Sequence, residues 1–206
     1  MPGELTPHDG VLEPDEEYDG VLFADASFAD VDADARDCHF LDCEFASASF
    51  DGGRLRKARF TDTRLRETRF VACDLAETGW LDTTLAGCAL AGVQAFSASM
   101  RRVTFRDCKL DSVNFRSGTL TDVTFENCLL LDAEFGGATL RRVSFGGCTL
   151  TRADFAKASC TDVDLRGAVL GISGGYESLR GAIIDSSQLV ALAPLLARHL
   201  GITVKD

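Results

Sequence analysis

Eight cysteines are the first residues that could do chemistry: Cys38, Cys43, Cys73, Cys88, Cys108, Cys128, Cys148 and Cys160. Thiols at this density invite a disulfide or metal reading. Cys38-His39 followed by Cys43 has the loose look of a ligand set. The candidate bases are His8, His39 and His199, and none has a nucleophile at a meaningful spacing. Arg54, Arg56, Lys57, Arg59, Arg64, Arg66 and Arg69, with Asp62 and Glu67 among them, form a basic cluster of the kind that grips phosphate. Gly171-Ile172-Ser173-Gly174-Gly175 reads as a turn, because the Gly-Lys-Ser/Thr of a phosphate loop does not follow it. These pieces assemble no catalytic constellation, so neither enzymatic activity nor a cofactor is expected.

What such residues can do depends on the wall that carries them. From Phe40 to Leu170 every residue whose number divides by five is a candidate core residue. The series includes Phe40, Phe60, Trp80, Phe105, Phe125 and Phe145, and its 27 positions contain no insertion or deletion. Only Ala95 and Cys160 are small. Two residues before each centre stands a small or β-branched residue, so one register holds over 38–170. Neither the 3.6 period of a helix nor strand alternation produces this beat. Fixed self-similarity marks a repeat architecture.

Runs such as Ala153-Asp154-Phe155-Ala156-Lys157 and Val163-Asp164-Leu165-Arg166-Gly167 resemble the pentapeptide-repeat family. The resemblance implies an all-β fold: a right-handed, four-sided parallel β-helix with four pentapeptides per coil. The centre and the small residue before it point inward, and the other three point out. Residues 20 apart should then stack, and the sequence agrees: Cys88, Cys108, Cys128 and Cys148 form one column, and Phe105, Phe125 and Phe145 another. At strand spacing the unbroken stretch makes a rod of about 32 Å.

This geometry reassigns the thiols. Seven cysteines fall in the small inward slot and Cys160 in a centre slot. Buried free cysteine behaves as a small hydrophobe. Stacked Cβ atoms about 4.8 Å apart are too distant for a disulfide, which wants about 3.8 Å. His39 points outward while Cys38 and Cys43 point inward, so no metal is expected. The basic cluster girdles one coil rather than lining one face, so intramolecular neutralisation is expected and direct nucleic-acid binding is not. Trp80 is expected in the core. Leu41, Leu81, Phe96, Leu129 and Leu131 occupy outward slots. Leu129 and Leu131 flank Leu130 and mark a candidate contact patch, whereas Phe96 is expected to turn inward beside the weak centre Ala95.

Charge divides the chain. Residues 1–37 hold 12 acids against Arg36 alone, a net of −11, and the remainder is neutral. Residues 1–20 read as an acidic, mobile segment, and Asp15, Glu16 and Glu17 as a candidate partner patch. The β-helix is expected over 21–184, with an irregular first coil from Val21 and a two-residue register shift near Ala33. Asp185, with Gln188 three residues on, resembles a capping box for a helix over 185–201. Leu189, Leu192, Leu195, Leu196 and Leu200 line one side of it, Pro194 should kink it, and Gly201 should end it. Leu189, Leu192 and Leu196 are expected to cover the rod, leaving Val190, Leu195 and Leu200 for a homodimer.

No apolar run is long enough to span a membrane. The opening Met-Pro-Gly-Glu-Leu lacks a basic start and an apolar core, so no signal peptide and a cytoplasmic setting are expected. Two functions of different class follow. One is a protein-interaction or scaffold module with an unidentified protein partner. The other rests on the resemblance: some family members are rods that mimic DNA, bind DNA gyrase or topoisomerase IV, shield them from quinolones, and dimerise through their C-terminal ends.

Overall fold

The computed structural model describes residues 5–8, 10–29 and 34–205. The five-residue beat becomes a four-sided parallel solenoid. Three walls are eight-stranded parallel sheets, each strand usually three residues long. The first sheet runs through Glu44–Ala46, Arg64–Arg66 and Thr84–Ala86 to Ser144–Gly146. The second runs through His39–Leu41, Arg59–Thr61 and Gly79–Leu81 to Ser159–Thr161. The third runs through Ser49–Asp51, Arg69–Val71 and Ala89–Ala91 to Val169–Gly174. The fourth wall is held by single bridges, as from Arg54 to Asp74 and from Gln94 to Asn114.

The corners explain the period. Two residues past every centre from Phe40 to Leu165 the backbone is left-handed, with φ between 49° and 75°. Arg102, Ala72 and Asp122 adopt it as well as the glycines. Left-handed backbone is costly for ordinary L-residues. Here each bend delivers the next strand to the next wall, and the corner amide bonds to the adjacent coil, as from Asp62 N–H to the Leu81 carbonyl at 3.0 Å.

Inside, partners pair 20 residues apart: Phe105, Phe125 and Phe145 are in register. Their ring centroids lie 4.7 and 4.9 Å apart and nearly parallel, at 11° and 4°. The strand spacing of about 4.8 Å therefore sets the stacking distance. Such stacks add about 0.5–1.5 kcal/mol beyond burial. Trp80 is in this core, 4.0 Å from Phe60, and its indole N–H donates to Thr78 Oγ1 at 2.9 Å.

The N-terminal segment is not a free tail. Thr6 and Pro7 pair with Val21 and Leu22, Glu17–Asp19 pairs with His39–Leu41, and Leu12 and Tyr18 are buried. The reason is the open end of the core: Tyr18 stacks 5.2 Å from Phe40, and His8 packs 5.0 Å from Phe23. Partners are 22 apart from Glu17 and His39 to Phe28 and Phe50, and 20 apart from Asp34 and Arg54. The shift placed near Ala33 thus falls between Ala29 and Asp34, over 30–33, outside the described residues.

At the other end, the turn at Gly175 (φ 79°) leads through a 3-10 turn, Tyr176–Leu179, to the helix Ser186–His199. Asp185 accepts from the Gln188 amide at 2.9 Å while Gln188 Oε1 accepts from the Asp185 amide at 2.9 Å, closing the capping box. Gly201 (φ 70°) ends the helix, with Ile202 N–H bonded to the Ala197 carbonyl. The helix continues through Pro194. The covering face differs from expectation. Leu192 is buried and Leu195 and Leu196 half-buried, but Leu189 is 53% exposed. Gln188 takes the covering position because the last coil presents carbonyls that can accept a further bond: its Nε2 donates to Leu165 and Ala168 oxygens at 2.5 and 2.7 Å.

Candidate functional site

The small inward slot is a hydrogen-bonding position, not merely an apolar one. Thr63 Oγ1 donates to the Phe40 and Thr61 carbonyls, both at 3.1 Å. Cys108 Sγ donates to the matching pair, Leu85 and Arg106, at 3.4 and 3.3 Å. A hydroxyl or thiol of this size fits beneath the coil above and caps two carbonyls of the wall. Residue size had signalled the slot, and its repeated Thr and Cys content was the clue to the hydrogen bond.

All eight thiols are free, seven buried and Cys160 half-buried. Burial raises Cys38, Cys43 and Cys73 to about 11. Hydrogen bonding to Cys128 and Cys88, then burial, raises Cys108, which keeps its proton. Cys38 Sγ donates to the Glu13 carbonyl and Cys43 Sγ to that of Tyr18, whereas His39 Nε2 meets Thr61 Oγ1 outside at 3.2 Å. The Cys-His set therefore does not converge. Among the described residues no three His, Cys, Asp or Glu side chains group as metal ligands. His199 lies 3.8 Å from Glu177 and far along the chain from His8 and His39.

Outside, acids and arginines answer each other one coil apart. Arg102 clasps Asp82 at 2.5 and 2.6 Å, Arg142 clasps Asp122, and Arg152 clasps Asp132. The arginine hydrogen bonds hold these three aspartates below the usual carboxylate range. Within the basic girdle Arg66 pairs with Glu44, Arg56 with Glu77, and Arg64 reaches Asp42 at 4.0 Å. Phe96 stays outside instead of turning inward. Ala95 is buried, and outside it the Arg56 guanidinium lies 5.5 Å from the Phe96 ring centre.

Leu129 is 50% exposed and Leu131 half-buried on the third sheet, beside Lys109 and Asp111 on one side and Thr149 and Thr151 on the other. Asp15, Glu16 and Glu17 are exposed on the N-terminal coil, where Asp15 N–H is fixed to the Arg36 carbonyl at 2.9 Å. Leu195 is half-buried and Leu200 71% exposed.

A family model of the pentapeptide repeat region matches residues 78–155, and one of eight pentapeptide repeats matches residues 20–66. The chain belongs to the pentapeptide-repeat family. Among solved structures, QnrB1, a plasmid-mediated fluoroquinolone resistance protein, is 19% identical across 97% of this chain and 100% of its own, with a TM-score of 0.47. HetL, a pentapeptide repeat protein involved in heterocyst differentiation regulation from the cyanobacterium Nostoc, is 20% identical across 86% and 92%, with a TM-score of 0.27. No curated protein matches the chain. No helix among the described residues is long and apolar enough to cross a membrane.

Proposed function

We propose that this pentapeptide-repeat protein is a non-catalytic interaction rod, paired tail to tail through its C-terminal end, with its walls and N-terminal coils left for a protein partner. The carrying observation is where apolar surface remains. Of nine exposed large hydrophobic side chains among the described residues, seven lie in the last coil, the helix and the segment behind it: Val169, Ile183, Leu189, Val190, Leu200, Ile202 and Val204. A cap for one rod uses Gln188 and Leu192 and leaves this surface over. Contiguous apolar exposure marks a contact site. A two-fold contact between identical ends buries it. The polarity also suits the charge, since the −11 of residues 1–37 is then held apart at the two far ends. Eight unpaired thiols fit a reducing compartment such as the cytoplasm.

Sedimentation equilibrium at micromolar concentration is the test, and a dimer is expected. Val190→Glu with Leu200→Glu should give a folded monomer. Leu195 is less suited to this because it is already half-buried. A monomer for the unmodified chain overturns the pairing.

The other reading, a DNA mimic that binds DNA gyrase and shields it from quinolones, calls for rows of unpaired acids along the rod. The Asp82–Arg102, Asp122–Arg142 and Asp132–Arg152 pairs weigh against it. Protection of gyrase supercoiling from a fluoroquinolone by this protein would restore it.

A further inference from the structure

The second sheet differs from the other walls in its charge. Its outward strand positions from His39 to Thr161 include no acid. They carry Arg59, Arg101 and Arg141, none in an ion pair among the described residues, set among hydroxyls such as Thr61, Ser99, Thr119 and Thr121. On the first sheet, by contrast, Arg66 and Arg106 are both taken by glutamates, Glu44 and Glu126.

Within this wall there is a notch. Gly79 stands where every neighbouring level has a side chain, and the Arg59 stem lies across the gap, its Cγ 3.6 Å from where a Gly79 Cβ would be. The depression holds about 380 Å³, and buried Trp80 and outward Leu81 are among the residues that line it. Thr61 and Ser99 stand on either side, one level below and one above. Arg59 and Arg101 bracket it from the same two levels and from opposite ends of the strand. Their backbones are about 10 Å apart along the rod, within joint reach of two arginine side chains. Acids stand at both adjoining corners: Glu77 is paired with Arg56 at one, and at the other Asp82 is held by Arg102 with Asp62 one level down.

We infer that this notch binds a phosphoryl oxyanion between Arg59 and Arg101. Guanidinium forks donate paired hydrogen bonds to phosphate oxygens, hydroxyls complete the donor set, and the missing Gly79 side chain supplies the space. The anion can come from a small phosphate compound or from a phosphodiester strand, which would also reach Arg141 farther along the same wall.

Trp80 is the only tryptophan and lies directly behind the notch, so its fluorescence reports occupancy. Inorganic pyrophosphate and a short oligothymidylate are titrated separately into the full chain. A saturable change is expected, weakened about tenfold or more in the Arg59→Ala/Arg101→Ala variant, as loss of a charged hydrogen bond implies. Gly79→Leu, which fills the notch at an ordinary φ, should abolish it, and Asp62→Asn should tighten it. Binding of pyrophosphate that is indifferent to Arg141→Ala assigns a small phosphate. Tighter oligothymidylate binding that Arg141→Ala weakens assigns a strand. Thermal unfolding of each variant checks that the fold is kept. No saturable change with either probe up to about 10 mM, or equal binding by the double-arginine variant, overturns the site.

Discussion

Replacing Phe125 with alanine tests the internal ladder at its most constrained point. The ring is fully buried, with Phe105 stacked on one face and Phe145 on the other, at 4.7 and 4.9 Å. Phe115 and Phe135 meet it edge-on at 6.4 and 6.5 Å. Burying a phenylalanine and then truncating it costs about 3–5 kcal/mol, more where the cavity cannot collapse. Here collapse is opposed because each neighbouring ring is pinned by hydrogen-bonded strands above and below. The expected loss is therefore about 4–5 kcal/mol. Phe125→Leu keeps most of the volume and loses two stacked faces, about 1–3 kcal/mol in total. Glu126, one residue on, points out to Arg106 at 2.8 Å with both partners about half exposed. Glu126→Gln should thus cost less than about 1 kcal/mol. Thermal unfolding followed by circular dichroism reads these values. A chain of this size shifts by about 2–4 °C per kcal/mol, so Phe125→Ala should fall by about 8–20 °C. Trp80 fluorescence, reporting from coils nearer the N-terminus, shows whether the rod melts as one unit or end by end. A Phe125→Ala loss no larger than that of Glu126→Gln would refute the inward assignment and the ladder with it.

Thiol labelling of native protein should modify Cys160 first and the seven buried cysteines only after denaturation; rapid modification of four or more would contradict their burial. Because Cys38, Cys43 and Cys73 are raised to about 11, above their unfolded value, their contribution is intact at neutral pH and is lost as pH climbs from about 9 through 11, which melting curves across that window check. Gly175→Ala places a Cβ 2.2 Å from the Phe155 carbonyl carbon at φ 79°, so it should cost more than about 2 kcal/mol and free the C-terminal cap, seen as faster proteolysis behind residue 175. Asp185→Ala removes the helix cap at about 1 kcal/mol. Hydrogen bonds from Ser187 and Gln188 lower the Asp185 carboxyl, so the cap should persist at neutral pH and fade only as pH falls through that lowered value, measured by helical ellipticity in acid. Deleting residues 1–17 strips Leu12 and the Thr6–Val21 pairing from the first coil, and a lower melting temperature is expected; an unchanged one would show that this coil is dispensable.

The core was legible because one constraint repeats. A closed coil at strand spacing asks for the same volume at each level, so Phe105, Phe125 and Phe145 announce the 20-residue turn by identity alone. The N-terminal coil was misread for the same reason. Its partners stand 22 apart, Tyr18 under Phe40 and Phe23 under Phe45, and the prolines and acids around them look like a solvated tail. Leu189 was placed on the covering face by helical spacing. The last coil instead offers the Leu165 and Ala168 carbonyls, and an amide bonds to those where a leucine cannot. The small Ala95 predicts an inward Phe96, yet the fixed alternation of the wall outweighs a local shortage of volume.

A repeat spends its inward slots on the fold and leaves its outward slots free, so chemistry on the walls appears only as departures from neutral pairing. Where acids find an arginine one coil away, as Asp82, Asp122 and Asp132 do, those columns point to stability more than to a partner. The departures are few: the Gly79 gap between Arg59 and Arg101, and the two ends where the beat stops. Each end must be closed, because open parallel sheets present unpaired backbone and bare rings. The closures are chemically opposite. The N-terminal coil plugs the core with Tyr18 and His8 and faces solvent with Asp15, Glu16 and Glu17. The C-terminal helix plugs it with Gln188 and Leu192 and faces solvent with Val190 and Leu200. Closure alone requires only the inner side of each cap. The acid on one cap and the apolar surface on the other are surplus to it, which is why the ends are where a second copy and a partner are to be sought.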